Sequence, residues 1–253
     1  MGPEVIAIAV IAVVVGATLQ RLSGMGVGLV VAPTLALALG PQLGAFVANA
    51  TTVCSGGLIM LTVLGDVDWR RWWVFAGAGL VGSIPGALLV RELSTGWLSI
   101  VIGAVVLGAL VLTFTSPRVP HVQGRGLPWL TAAAGATGGF LNTASGVAGP
   151  AMVMYGRFAR WPQQAFAATM QPTFMVFGLL SLTTKATTGA VGLDALPPLS
   201  LFGAIVVAVV AGIRLGSLLA RRVSPEGARR LAVVLAGLGA LSALGRGVLE
   251  LVG

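Results

Sequence analysis

Long apolar stretches run through the whole chain, separated by short breaks of glycine, proline and polar residues. The stretches fall at 5–20, 27–40, 43–64, 72–90, 97–115, 129–141, 147–156, 163–184, 198–220 and 227–250. A hydrocarbon core of about 30 Å takes about 20 apolar residues in one helix. Six stretches are long enough to span it. The pairs 5–20 with 27–40 and 129–141 with 147–156 are shorter and are interrupted by Gly, Ser or Asn. The main breaks are Leu22-Ser23-Gly24-Met25-Gly26, Gly40-Pro41, Gly65-Asp66-Val67-Asp68, 116–128, 142–146, 157–162, 185–198 and 221–226. Their composition is that of turns and loops.

The pattern repeats. Shifted by 121, Gly24 falls on Ser145, Gly28 on Gly149 and Pro41 on Pro162. Shifted by 130, Gly82 falls on Gly212, Gly86 on Gly216, Arg91 on Arg221 and Ser94 on Ser224. The longer 185–198 loop absorbs the difference of nine residues. The matched positions are breakers in the same order. Residues 1–115 and 126–253 are therefore expected to be two membrane repeats, joined by a linker at 116–125. Each repeat would hold an interrupted helix pair and three spanning helices, in an all-α polytopic membrane fold of about 8–10 segments.

Charge gives the orientation. If each interrupted pair returns to the side it entered, Arg70, Arg71, Arg118, Arg125, Arg157, Arg160, Arg221, Arg222, Arg229 and Arg230 share one face. That is ten basic residues against Arg91, Lys185 and Arg246. If each pair crosses once, the division is seven against six. Basic residues accumulate on the cytoplasmic side, which favours the first arrangement. The repeats are then inverted, the linker is cytoplasmic, and both termini lie outside a bacterial inner membrane.

Composition removes other classes. Of the 253 residues, 57% are apolar and 9% charged, against about 25% charged in a soluble domain. The mean hydropathy is +0.99. A soluble enzyme, a disordered chain and a disulfide scaffold are excluded. The 37 glycines suit membrane helices, which pack through small residues. The net charge of +8 is scattered in ones and pairs. It forms no basic stripe for nucleic acid. Cys54 is the single cysteine and His121 the single histidine, so no disulfide, metal site or cofactor is expected. The N-terminus lacks the basic region of a signal peptide, and the first stretch is expected to stay in the membrane.

Four motifs carry a resemblance. Gly24-Met25-Gly26-Val27-Gly28 followed by Pro33, and Ser145-Gly146-Val147-Ala148-Gly149-Pro150 at the matching place, resemble the paired signatures of the TauE/SafE sulfite-exporter family. Gly82-Ser83-Ile84-Pro85-Gly86 and Gly212-Ile213-Arg214-Leu215-Gly216 are similar to later motifs of that family. The likeness covers essentially the whole chain. It implies a permease for sulfite, sulfonates or related sulfur anions.

The candidate substrate site lies at the two interruptions. Backbone groups freed there are tolerable only inside protein or against a watery cavity. Helices restarting after the breaks direct their N-terminal N–H groups and positive dipole ends into them, and such ends bind anions. Gly24, Gly26, Gly146 and Gly149 would let a ligand approach the backbone closely. Ser23, Asn142, Thr143 and Ser145 offer further hydrogen bonds. Arg21 ends the first arm beside its break. It is either a counter-charge or a topology signal. Arg214 lies inside an apolar stretch, where it either meets an anion or snorkels to the interface. Asn49 and Gln171 occupy nearly matching places. They either face the breaks or tie helices together. The seven acidic residues all sit at stretch ends or in loops, so no proton-relaying carboxylate is evident at the midplane.

These features predict a secondary transporter exporting small sulfur-containing or organic anions by alternating access around a site between the breaks. Its partners are a small anion and the lipid bilayer; the sequence leaves the oligomeric state open. The competing reading is a non-transporting accessory or scaffold membrane protein. No catalytic cluster points to an enzyme.

Overall fold

The computed structural model describes residues 2–24, 27–115, 120–192, 194 and 196–252. The described residues form helices α1 (Pro3–Ser23), α2 (Val27–Leu39), α3 (Pro41–Met60), α4 (Trp69–Glu92), α5 (Thr95–Thr115), α6 (Gly126–Ser145), α7 (Gly149–Phe158), α8 (Gln163–Thr188), α9 (Leu199–Leu219) and α10 (Pro225–Val252). A 3-10 turn at Leu64–Asp66 is the other helical element, and no strand is present among these residues. Helices α1, α3, α4, α8, α9 and α10 have the length and apolarity of membrane spans. The protein is an all-helical integral membrane protein.

Three elements depart from the sequence expectation. The first arms of the interrupted pairs are full length. Helix α1 runs 21 residues and α6 runs 20, whereas α2 has 13 and α7 has 10. Polar residues do not end α1, because their groups are satisfied within the protein: Thr18 Oγ1 donates to the Val14 and Gly212 carbonyls at 2.7 and 3.0 Å. The second break is also shorter than 142–146, since Asn142, Thr143 and Ser145 form the last turn of α6. Finally, α8 continues to Thr188, so Lys185 lies in a helix and not in a loop, and it is fully buried.

The short arms fold back and are capped at their far ends. Arg246 of α10 donates from a guanidinium nitrogen to the Leu37 carbonyl at 2.7 Å. The Val122 N–H donates to the Phe158 carbonyl at 3.0 Å. Both bonds satisfy carbonyls that a helix C-terminus leaves free.

Small residues set the packing. Gly212 and Gly216 of α9 lie against Val14, Ala17, Thr18 and Arg21 of α1. Gly82 and Gly86 of α4 lie against Ala136, Phe140 and Thr143 of α6. Both pairs run parallel, and each contact on α6 is 122 residues after its counterpart on α1. Gly56 of α3 rests on the Gln171 carbonyl and Gly178 of α8 on the Asn49 carbonyl. These positions again differ by 122, and α3 and α8 cross antiparallel. Helices α5 and α10 are antiparallel too, with Gly96 against Leu251 and Gly103 against Leu244.

A side chain on these glycines meets backbone. At Gly82 a β-carbon collides with the Ala136 carbonyl, whereas at Gly77, on the same helix, it meets open space. Gly82→Val is expected to destabilise the detergent-purified protein by about 1–3 kcal/mol, the usual cost of overpacking, and Gly77→Val to cost far less. Tryptophan-monitored thermal unfolding compares them; equal losses would remove the packing role from Gly82.

Candidate functional site

Each break begins with a glycine in the left-handed region. Gly24 ends α1 at φ 79° and Gly146 ends α6 at φ 78°. A side chain is disfavoured in that conformation. Each glycine N–H closes the preceding helix, onto the Gln20 carbonyl for Gly24 and the Asn142 carbonyl for Gly146, both at 2.8 Å. The two glycines are separated by 122 residues, one more than the 121 read from the sequence.

The residues that accept these caps use their side chains to cross between halves. Gln20 Nε2 donates to Gln171 Oε1 of α8 at 2.9 Å, and Ser55 Oγ donates to Gln20 Oε1 at 2.9 Å. Gln171 Nε2 in turn donates to the Ala167 and Gly24 carbonyls at 3.0 and 3.4 Å. At the second break, Asn142 Nδ2 donates to Asn49 Oδ1 of α3 at 2.9 Å. Asn49 Nδ2 donates to Ser181 Oγ at 2.6 Å and to the Asn142 carbonyl at 3.4 Å. Asn49 and Gln171 therefore tie helices together and also stand at the breaks. All four amides are buried.

A vestibule of about 370 Å³ leads to the first break. Arg21, Ser23, Gly24, Gln20 and Gln171 line its inner part, and the exposed Asp66, Gln163 and Gln164 form its mouth. Arg21 Nε donates to Ser217 Oγ at 3.1 Å, and no ion pair among the described residues includes it. Beyond the Gln20–Gln171 bridge lies a second pocket of about 20 Å³. The starts of α2 (Val27, Gly28) and α7 (Gly149) line it, with Gly146, Asn142, Thr52 and Phe174. At that volume it admits one water-sized body and no polyatomic anion. The breaks touch here: a β-carbon on Gly28 would lie 2.7 Å from the Gly146 carbonyl oxygen.

The structure thus brings Arg21, Ser23, Gly24 and Gln171 to the vestibule, and Asn142, Gly146 and Gly149 to the inner pocket. Ser145 Oγ is spent on the Leu141 carbonyl at 2.7 Å. Thr143 is fully buried with no partner for Oγ1. Arg214 is exposed on α9 and lines neither cavity. Gly26 lies outside the described residues. Gln20, Gly28, Ser55 and Ser181 were missed as site residues. Gln20 carried a readable signal, as a lone amide one turn before a break glycine.

The two amides of the Gln20–Gln171 bridge depend on each other. Gln20→Leu or Gln171→Leu alone strands a buried partner and is expected to cost about 1–3 kcal/mol. The double substitution should cost less than the sum. A double-mutant cycle on thermal unfolding tests this, and strict additivity would mean that the bridge contributes no coupling.

The family model described as Sulfite exporter TauE/SafE matches residues 8–243, and the chain belongs to that family. No curated protein matches the chain. No solved structure matches it.

Proposed function

We propose that this member of a sulfite-exporter type transporter family exports small sulfur-containing or organic anions, such as sulfite or sulfonates, by alternating access around the two helix breaks. The single observation that carries the reading is the convergence of both breaks on one pocket. That pocket is lined by the N-terminal starts of α2 and α7, where free N–H groups and positive dipole ends favour an anion. Arg21 waits in the vestibule leading to it.

Orientation follows from charge. The vestibule mouth adjoins the start of α8 and the turn before α4, on the face bearing Arg70, Arg71, Arg157 and Arg160. The excess of basic residues supports a cytoplasmic assignment for that face, in a bacterial inner membrane with both termini outside. The vestibule then admits a cytoplasmic anion. A negative-inside potential drives each negative charge outward by about 2.3 kcal/mol per 100 mV, and no midplane carboxylate is needed for a proton relay.

Repeats 1–115 and 126–253, with a cytoplasmic linker at 116–125, would be inverted copies. The antiparallel crossings of α3 with α8 and of α5 with α10, and the exchange of partners between α1–α9 and α6–α4, support that relation. Inverted copies allow the vestibule on one face to be exchanged for its equivalent on the other. The inner pocket must widen as the Gln20–Gln171 bridge opens. Its small size and saturated bridge also favour the second reading, an accessory membrane protein with no transport.

Two experiments separate these readings. Reporter fusions at Gln123 and Gly227 should read cytoplasmic and at Gly192 periplasmic; a cytoplasmic signal at Gly192 would refute the inverted arrangement. Purified protein should be thermally stabilised by sulfite or sulfonates more than by chloride, and Arg21→Gln should weaken that shift about tenfold in anion concentration while leaving ligand-free melting nearly unchanged. An absence of any anion-dependent shift in the native protein favours the accessory reading.

A further inference from the structure

Lys185 has no place in the site described so far. Its side chain is fully buried near the end of α8, and Nζ has no hydrogen-bond partner. No ion pair among the described residues includes it. An ionisable group inside a membrane helix is expensive and marks function by default. Among the described residues, Thr143 in the last turn of α6 is the other fully buried residue with an unpartnered polar side-chain atom, Oγ1. Such atoms are rare in folded proteins and each needs an explanation.

Two independent relations join these residues. Gln171, Phe174, Gly178, Ser181 and Lys185 are spaced by three and four residues, so they form one face of α8. Along that face Gln171 lies at the vestibule, Phe174 at the inner pocket and Ser181 against Asn49. Lys185 is the next position, one turn beyond.

The second relation is the offset of 122. It carries Gly24 to Gly146, Gln20 to Asn142 and Ala167, which abuts Gly24, to Ala45, which abuts Gly146. It carries Arg21 to Thr143 and Val63 to Lys185. Arg21 and Val63 both line the open vestibule. Thr143 and Lys185 therefore occupy the equivalent wall positions at the other break, where the surroundings are closed.

We propose that Lys185 Nζ and Thr143 Oγ1 coordinate a small oxyanion in a second vestibule, the counterpart of the observed one, that opens on the opposite face when the Asn49–Asn142–Ser181 cluster separates. At the first break the cation is Arg21 on the long arm. At the second, the long arm supplies a hydroxyl and α8 supplies the cation. Each end of the path then holds one positive group beside a left-handed glycine. The orphaned donors of the closed end gain their partner only in the other state. This inference rests on the transport reading.

The test uses the full chain in proteoliposomes with labelled sulfite exchange. Lys185→Gln should raise the half-saturating sulfite concentration by about tenfold to a hundredfold, as expected for a lost charge-assisted hydrogen bond. Lys185→Arg should recover most of the loss, and Thr143→Val should raise it by severalfold. In a Cys54→Ser background, Lys185→Cys should be alkylated by a membrane-impermeant thiol reagent only from the face opposite the vestibule, and sulfite should slow that reaction. Unchanged half-saturation in Lys185→Gln and Thr143→Val overturns the inference while leaving transport intact. If Lys185→Gln fails to fold, unchanged half-saturation in Thr143→Val has the same force, as does labelling of Lys185→Cys from the vestibule face alone. Absence of exchange of sulfite, of sulfonates and of small carboxylates by the native protein removes the transport reading itself, and this inference with it.

Discussion

Backbone polar groups at a helix end cannot be left to lipid, and this chain interrupts two helices inside its apolar body. The solution at both breaks is local and then reaches across the molecule. A left-handed glycine turns its N–H back onto the carbonyl one turn earlier, at Gln20 or Asn142. The side chain of that same residue bonds a helix of the other half, Gln171 on α8 or Asn49 on α3. Closing a helix and joining the two halves are therefore done by one residue at each break.

This arrangement makes the breaks sensitive to the position of α3 and α8. Those two helices cross in van der Waals contact through Gly56 and Gly178, each glycine sitting on the carbonyl of the amide residue opposite. A shift of α8 relative to α3 acts on Gln171 and Ser181 together, and so on the bridges at both breaks. Large side chains at the glycines would hold the helices apart and weaken both bridges. Buried polar networks of this kind have high stakes, because a half-satisfied one is worse than none. The network here is satisfied at all four amides, while Thr143 Oγ1 and Lys185 Nζ are left over.

The helices and the glycine contacts were legible in the sequence because apolar length and small-residue spacing are local signals. The positions of Gly82, Gly86, Gly212 and Gly216 against neighbouring helices follow from that spacing. The sequence comparison uses an offset of 121, whereas the left-handed glycines of the two breaks lie 122 residues apart. Matching Gly24 to Ser145 aligned a cap with the last helical residue, and only the positive φ of Gly146 distinguishes them. The second long arm reads as short because Asn142 looks like an interruption until its partner Asn49, 93 residues away, is known. Lys185 reads as a loop charge for a related reason. A basic residue at the end of an apolar stretch ordinarily marks the interface, and burial is a property of the neighbours.

The two breaks are built alike and sized differently. Both bridges place an amide nitrogen 2.9 Å from an amide oxygen, so the hydrogen bonds themselves give no preference for either end. Glutamine is one methylene longer than asparagine. The Gln20–Gln171 pair therefore makes its bond across a wider gap than the Asn142–Asn49 pair can. The wide end is the one with the 370 Å³ vestibule; the narrow end is the closed one, where Lys185 and Thr143 are enclosed. Enclosing an unpaired amine carries a desolvation cost that the first break avoids, since Arg21 remains partly exposed and bonded to Ser217. Side-chain length favours the observed asymmetry, and the burial of Lys185 opposes it. In the alternating-access cycle proposed above, these opposing terms would set the balance between the two states, and an anion meeting the Lys185 amine would shift it by removing the second.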